Sequence, residues 1–118
     1  MDTAILTKSE VIAKQHQHET PTGERLIRAG SACASHPHIK PDDLLLVNFD
    51  QHRPDTDAFY IVQAVNDSGT ERFPVCRRIE FSVIRGALID SNGGGDMRPL
   101  HECKCRLLGK VLRIYKPA

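Results

Sequence analysis

The chain has 118 residues, with 16 lysines and arginines, 15 aspartates and glutamates, and a formal net charge of +1. This length is typical of one domain that buries its own core without a disulfide or a metal. The near-neutral charge lacks the strongly basic face of most nucleic-acid binders, and no apolar run approaches the ~20 residues of a membrane span. With no signal peptide, the sequence predicts a cytoplasmic protein that contacts neither nucleic acid nor membrane directly.

Residues 1–24 are predicted to form an N-terminal arm, with a short helix in it, ahead of a β domain over residues 25–118. The arm is far too short for a helix-turn-helix domain, so this chain alone has no recognisable DNA-reading element. The segment from Glu19 to Gly23 is predicted to be a loop. The apolar positions and candidate cap residues of the helix are Ile5, Leu6, Ile12, Ala13, Thr7 and Ser9.

The β domain carries strand and turn signals at intervals of about 8–12 residues, which predict a mostly-β sandwich or partly open barrel. Leu44 to Phe49 is an apolar run without a period of two, so we expect a strand buried on both faces. Asn66 to Thr70 is predicted to be a hairpin turn. The predicted strands cover residues 25–29, 44–49, 59–65, 73–81, 82–89 and 103–115, the last as one strand or a pair.

The four cysteines are expected to be thiols, because the chain has no secretory signal. Some of them belong to two triplets whose alternate residues would share a face of a strand and could bind zinc. Buried apolar cysteines and solvated histidines explain the same residues, and we prefer that interpretation, with no metal or other cofactor. The metal candidates are Cys33, His36 and His38 in one triplet, and His101, Cys103 and Cys105 in the other.

Two segments carry the most informative pattern: residues 29–47 read AGSACASHPHIKPDDLLLV, and residues 76–79 read CRRI. The first resembles the nucleophile turn of the LexA/UmuD and phage-repressor serine–lysine peptidases, S-M-x-P-x-I-x-x-G-D-L-L-x-V. The second resembles the V-K-R-L segment of that family, which carries the lysine base. Ala34 then occupies the position of the serine, Ser35 that of the methionine, Asp42 that of the glycine and Arg77 that of the lysine. The residues in register are Pro37, Ile39, Asp43, Leu44, Leu45 and Val47.

Three later segments extend the resemblance over residues 25–116 in the family's order. Residues 57–62 are similar to the family's G-D-I-Y-V-V strand, 87–92 to its L-x-x-x-N segment and 108–115 to its closing strand. The resemblance implies the LexA C-terminal-domain architecture, which is a set of coiled, mixed β-sheets or a partly open barrel.

Both replaced positions matter chemically. A serine hydroxyl becomes nucleophilic through an adjacent base, and a buried lysine serves because desolvation makes its neutral amine accessible. Ala34 has no hydroxyl, and the guanidinium of Arg77 keeps its proton in proteins. The pattern therefore indicates a non-catalytic relative. The alternative is a displaced nucleophile at Ser35 or Ser31, which would need a base that the pattern does not supply.

If Arg77 points into the former catalytic cleft, its buried charge needs a partner. We expect a structural salt bridge to Asp42 or Asp43. The alternative is an anion or peptide-carboxylate pocket formed by Arg77 with Arg78 and Arg85, since arginine binds carboxylates in a bidentate manner.

The resemblance implies a non-catalytic module for dimerisation and protein interaction in phage-repressor-like or SOS-type transcriptional regulation. It implies a two-fold homodimer formed through the region of Cys103 to Tyr115 and a protein partner in a regulatory complex. If the chain is complete, that partner supplies DNA or polymerase contact; if it is a fragment, a helix-turn-helix domain precedes it. The competing interpretations are a self-cleaving serine peptidase and a zinc-binding sensor.

Overall fold

The structure is a computed structural model that describes residues 21–30, 38–64, 74–90 and 95–117, together with the backbone of residues 5–6. Eight strands form one sheet in the order β1-β2-β3-β8-β4-β5-β6-β7. They are β1 Ile5–Leu6, β2 Glu24–Arg28, β3 Leu44–Asn48, β4 Ala58–Ala64, β5 Val75–Ser82, β6 Gly86–Asp90, β7 Met97–Pro99 and β8 Cys105–Tyr115, with a 3₁₀ turn at Leu100–Glu102.

The prediction of a mostly-β fold is confirmed. The strands form a single sheet that is not closed into a barrel, and neighbouring strands are antiparallel except for the parallel pair β1 and β2. A sandwich of two sheets is therefore wrong for the described chain. Within those residues, no helix has the length and apolar character needed to cross a membrane.

The central strand β8 joins the two halves of the sheet. Its residues from Lys110 to Tyr115 pair with β3, and those from Cys105 to Lys110 pair with β4. The register shifts once in each pairing, leaving Leu112 and Leu108 as extra residues on β8. Such bulges increase the local twist and bend of a strand, so one 11-residue strand serves two differently oriented neighbours.

Alternation of side chains along the strands gives the sheet a hydrophobic core on each face. Along β4, for example, Ile61 belongs to one core and its neighbours Tyr60 and Val62 belong to the other. We call them the first-face core and the second-face core. The first-face core contains Ile27, Ala29, Ile39, Leu45, Val47, Phe49, Ile61, Cys76, Leu108 and Val111, and the second-face core contains Tyr60, Val62, Ile79 and Ile89.

Several predicted elements differ from the observed ones. The strand at Leu44–Asn48 is not buried on both faces, because Leu45 and Val47 are fully buried while Leu44 and Leu46 are half-buried. The region after Cys103 is one strand, and β7 was not predicted. In the arm, Ile5–Leu6 is extended and pairs with β2; the remainder of the predicted helix and the Asn66–Thr70 turn lie outside the described residues.

The predicted strand over residues 82–89 starts later than expected, because Val83 to Arg85 form a hairpin turn between β5 and β6. The Ser82 hydroxyl accepts hydrogen bonds from the backbone N–H groups of Ile84 and Arg85, at 3.3 and 3.1 Å. Gly86 follows with a φ of 75°, which favours glycine. The turn leaves Val83 and Ile84 almost fully exposed, at 106% and 94%.

Candidate functional site

Residues 31–37 lie outside the described residues, and with them Ser31, Cys33, Ala34, Ser35 and His36. The approach of Ala34 to Arg77 therefore stays a prediction. Both ends of this segment are fixed by the strand framework. The backbone N–H of Ala29 donates to the Asp43 carbonyl, and that of Gly30 donates to the Pro41 carbonyl, each at 2.9 Å.

The two ends of the segment also lie against the first-face core. Ala29 and Ile39 are buried members of that core, which also contains Cys76 of β5. Gly30 has a φ of 60°, so the chain turns away from β2 in a conformation that favours glycine. The segment that resembles the nucleophile turn thus leaves and re-enters the sheet on its first face.

Asp43 is the charged residue that holds the base of this segment together. Its side chain is fully buried, and its Oδ2 accepts a hydrogen bond from the backbone N–H of Lys40 at 2.8 Å. The ammonium of Lys116, just past β8, forms an ion pair with the same oxygen and also donates to the His38 carbonyl. The C-terminal end of the described chain is thereby attached to the turn before β3.

These contacts lower the pKa of Asp43 below its usual value of 3.8. The largest cause is the hydrogen bond from Lys116, followed by the one from the Lys40 backbone, and together they outweigh the opposing effect of burial. The other carboxylate oxygen, Oδ1, is buried and has no hydrogen-bond partner among the described residues. Asp43 therefore acts as an anionic anchor within the described fold.

Arg77 lies on the second face of the sheet. It is directly opposite Tyr60 of the second-face core, whereas its neighbour Cys76 belongs to the first-face core. The half-buried guanidinium donates to the Cys76 carbonyl at 3.2 Å. The predicted salt bridge from Arg77 to Asp42 or Asp43 is wrong, because Asp43 pairs with Lys116 and Asp42 is exposed.

Arg77 and Arg78 do not form one basic patch, because consecutive residues of β5 face opposite sides of the sheet. The guanidinium carbon of Arg78 lies 5.2 Å from the centre of the Phe59 ring, on the first face, and its Nε is 3.4 Å from a carboxylate oxygen of Glu80. Arg85 lies in the exposed hairpin turn. The predicted pocket of three arginines is therefore not formed in this arrangement.

A polar cluster that the sequence did not indicate lies on the second face. The buried Tyr60 hydroxyl accepts hydrogen bonds from the backbone N–H groups of Asp55 and Thr56, at 3.1 and 3.3 Å, and lies 2.8 Å from the Thr56 carbonyl. Lys110 of β8 is paired with the Asp55 carboxylate at 2.8 Å. The hydrogen bond from Lys110 is the main cause of a lowered pKa at Asp55.

This cluster attaches the loop between β3 and β4 to the sheet. Tyr60 and Lys110 are directly opposite each other on neighbouring strands, so the register of β4 on β8 brings them together. The sequence did not indicate that Tyr60, Asp55 and Lys110 come together. Lys110 lies 55 residues from Asp55 in the chain, and only the pairing of β4 with β8 brings it close.

Among the candidate metal ligands, the two cysteines near the start of β8 and His101 differ in burial. Cys103 and Cys105 are half-buried against the second-face core, and burial raises the pKa of Cys105, with a smaller contribution from Cys103. His101 is exposed, and its Nε2 lies 4.0 Å from the Glu102 Oε1. Across residues 21–30, 38–64, 74–90 and 95–117, no three histidine, cysteine, aspartate or glutamate side chains could hold a metal together. Cys33 and His36 lie outside those ranges, so zinc binding by both triplets together stays the alternative hypothesis.

These features define a single open β-sheet domain with a core on each face. Comparison with protein-family models found no match, and comparisons with curated proteins and with solved structures likewise found none.

Proposed function

We propose that this chain is a non-catalytic module of the LexA/UmuD peptidase type, acting in dimerisation and protein interaction within phage-repressor-like or SOS-type transcriptional regulation. The observation that carries the proposal is the arginine at position 77, where the ordered motifs of residues 25–116 place the family's lysine base. An arginine cannot take up the proton of a serine hydroxyl, because its guanidinium is already protonated.

The environment of Arg77 supports a structural role for this residue. Its side chain is half-buried and donates to a backbone carbonyl, and the buried Tyr60 lies directly opposite. Those contacts suit an arginine that stabilises the β4–β5 pair. The turn before β3 is likewise held by the Asp43 anchor.

The dimerisation part of the proposal uses the second face near the end of β8. Leu44 and Leu46 of β3 are half-buried there, and Tyr115, directly opposite Leu44, is 45% exposed. Over Val111–Tyr115, β8 pairs with β3 alone among the described strands, and the side chains of its last residues on this face are available for a dimer contact. The same proposal places the chain in the cytoplasm with its regulatory partner.

The competing enzyme class is tested by incubating the purified chain at alkaline pH and following its mass by gel electrophoresis and mass spectrometry. We expect an intact chain over days. Fragments that form in the unaltered chain and vanish in Ser35→Ala, but persist in the matched control Ser31→Ala, would overturn the proposal and identify Ser35 as a displaced nucleophile.

A further inference from the structure

The strand β8 extends beyond its pairing with β4. The pairing of β4 with β8 begins at Tyr60 opposite Lys110, and the following residues of β8 pair with β3 alone among the described strands. On the edge of Val111–Tyr115 that faces away from β3, the backbone N–H and C=O groups therefore have no strand partner within the described chain. An unpaired strand edge is a template for another extended segment.

A groove opens where β4 and β8 diverge. It has a volume of about 320 Å³, and its apolar lining includes Phe59, Val111 and Ile114, which belong to or pack against the first-face core. Leu112, the extra residue of the β8 bulge, also lines it and is 39% exposed. The groove thus combines an apolar lining with a strand edge.

The groove contains one arginine that has no ion pair to another described residue. This is Arg113, which is exposed, whereas Arg78, also in the lining, has its Nε 3.4 Å from a carboxylate oxygen of Glu80. The acidic residue in the lining, Asp57, already accepts a hydrogen bond from the Phe81 backbone N–H at 2.7 Å. Arginine side chains at the margin of an apolar groove favour carboxylates, which they bind through charge-assisted hydrogen bonds.

We propose that this groove binds an extended segment of a partner protein in which acidic and apolar residues alternate, added as a strand along Val111–Tyr115. The inference rests on the proposed role in protein interaction and gives that role a location. In an extended segment, successive side chains point to opposite sides. One set would pack on Phe59 and Ile114 while the other reaches Arg113, which is directly opposite Leu46 on the second face, as in strand-addition complexes.

The hairpin turn is connected to the groove by one hydrogen bond. Phe81 is 44% exposed and contacts Asp57 of the groove through its backbone, and Val83 and Ile84 project beyond it. A second copy of this chain is disfavoured as the occupant, because a two-fold pairing of this edge brings Arg113 close to its own counterpart. The strand edge with Arg113 beside it therefore points to an acidic partner.

The test is a titration of the ¹⁵N-labelled full chain with a synthetic peptide, blocked at both ends, in which glutamate alternates with valine. We expect amide shifts at Val111–Tyr115 and at Ala58 and Phe59. Arg113→Glu should weaken binding at least about fivefold, because it places like charges opposite each other. The control Arg98→Glu, an exposed arginine on β7 at the far side of the sheet, should leave affinity unchanged.

Two further peptides, N-methylated either at the valines or at the glutamates, block opposite edges of the strand. One of them should not bind the unaltered chain, since it cannot complete the strand pairing; this arm does not depend on any variant folding. Binding of both N-methylated peptides as tightly as the unmethylated one would overturn strand addition. Amide shifts at the groove residues that appear when the chain alone is concentrated would assign the groove to a second copy. Binding only to phosphatidylglycerol vesicles, lost in Val83→Asp, would assign the surface to a membrane. Either result overturns the inference. If the peptide does not bind but the chain stays intact at alkaline pH, this inference fails and the proposed function stands.

Discussion

At the scale of single residues, the buried polar side chains of the described chain connect distant segments. Gln63 accepts hydrogen bonds from Arg106 at 3.2 and 3.0 Å, and the Asp90 carboxylate accepts from the Gly95 backbone N–H at 3.2 and 3.1 Å. Asp43 does the same for Lys40 and Lys116. Buried polar groups are costly unless they are hydrogen-bonded, so each of these residues stabilises one local arrangement.

Asp43→Asn should lower the free energy of unfolding at neutral pH, because the ammonium of Lys116 loses its anionic partner. The lowered pKa of Asp43 means that its charge stabilises the fold fully above pH 3.8 and that this stabilisation is lost as the pH falls through the lower folded-state value. The difference between the two proteins should therefore shrink in acid. Urea unfolding from neutral pH down to about pH 2 measures it.

The control for Asp43 is Asp42→Asn, since Asp42 is exposed beside it. Asp42→Asn should follow the unaltered chain at every pH. An Asp43→Asn difference that stays constant into acid would show that the carboxylate charge is not the stabilising feature.

Tyr60→Phe should destabilise the fold by about 1–2 kcal/mol, because it removes the hydroxyl that satisfies the backbone N–H groups of Asp55 and Thr56. The ring and its burial remain. Thermal unfolding followed by circular dichroism gives the measurement. The control is Tyr115→Phe. Tyr115 is the other tyrosine and is exposed, so this change should cause no loss of stability. Equal stability of the two variants would contradict the role assigned to the Tyr60 hydroxyl.

At the scale of elements, the close approach of β8 to β3 depends on Gly109. A Cβ atom at this position would lie 2.6 Å from Val47 Cγ1 and 2.8 Å from the Asn48 carbonyl oxygen. Backbone on one side and buried core on the other leave little room to adjust. A residue that looks like an ordinary strand glycine is thus what allows the bulged strand to approach its neighbour.

Gly109→Ala should therefore cost about 1–3 kcal/mol of stability through overpacking. The comparison is Gly95→Ala, where nothing lies within 4 Å and the cost comes only from a φ of 90°. Chemical unfolding of both variants separates crowding from backbone strain. If Gly109→Ala is as stable as the unaltered chain, β8 must sit farther from β3 than described here.

The elements also show where sequence reasoning succeeded and where it stopped. Arg25–Ala29, Leu44–Phe49 and Phe59–Val65 were predicted within a residue or two, because apolar runs bounded by turn residues are a local signal. Val83 and Ile84 fall within the strand predicted over residues 82–89. Hydrogen bonds to the Ser82 hydroxyl and the positive φ of Gly86 instead form a turn there, and such competition depends on geometry that propensity does not contain.

The site was less predictable than the strands. Lys116 and Asp43 are 73 residues apart, and the sequence offered several acidic residues as partners for several cations. Only the strand order brings this pair together, and the strand order is a property of long-range pairing. The face of Arg77 was equally hidden, because a one-residue change of register places a side chain on the opposite face.

At the scale of the whole molecule, the proposed homodimer predicts a solution mass twice the 13.2 kDa of the chain. Tyr115→Lys should yield the monomer, because it places a charge on the second face near Leu44. Light scattering after size-exclusion chromatography gives the masses. Phe81→Lys is the matched control, since Phe81 is 44% exposed and Tyr115 is 45% exposed. A monomeric unaltered chain, or dissociation by the control alone, would contradict this dimer face.

The position of β8 has a consequence for biosynthesis. Within the described chain, β3 and β4 are joined in the sheet only through this strand, although they are neighbours in the sequence. While the ribosome is still making residues before Cys105, the early strands and the later hairpins are two separate fragments with unpaired edges. Completion of the sheet must wait for β8 to emerge and insert between them, and pairings over such sequence distances form slowly.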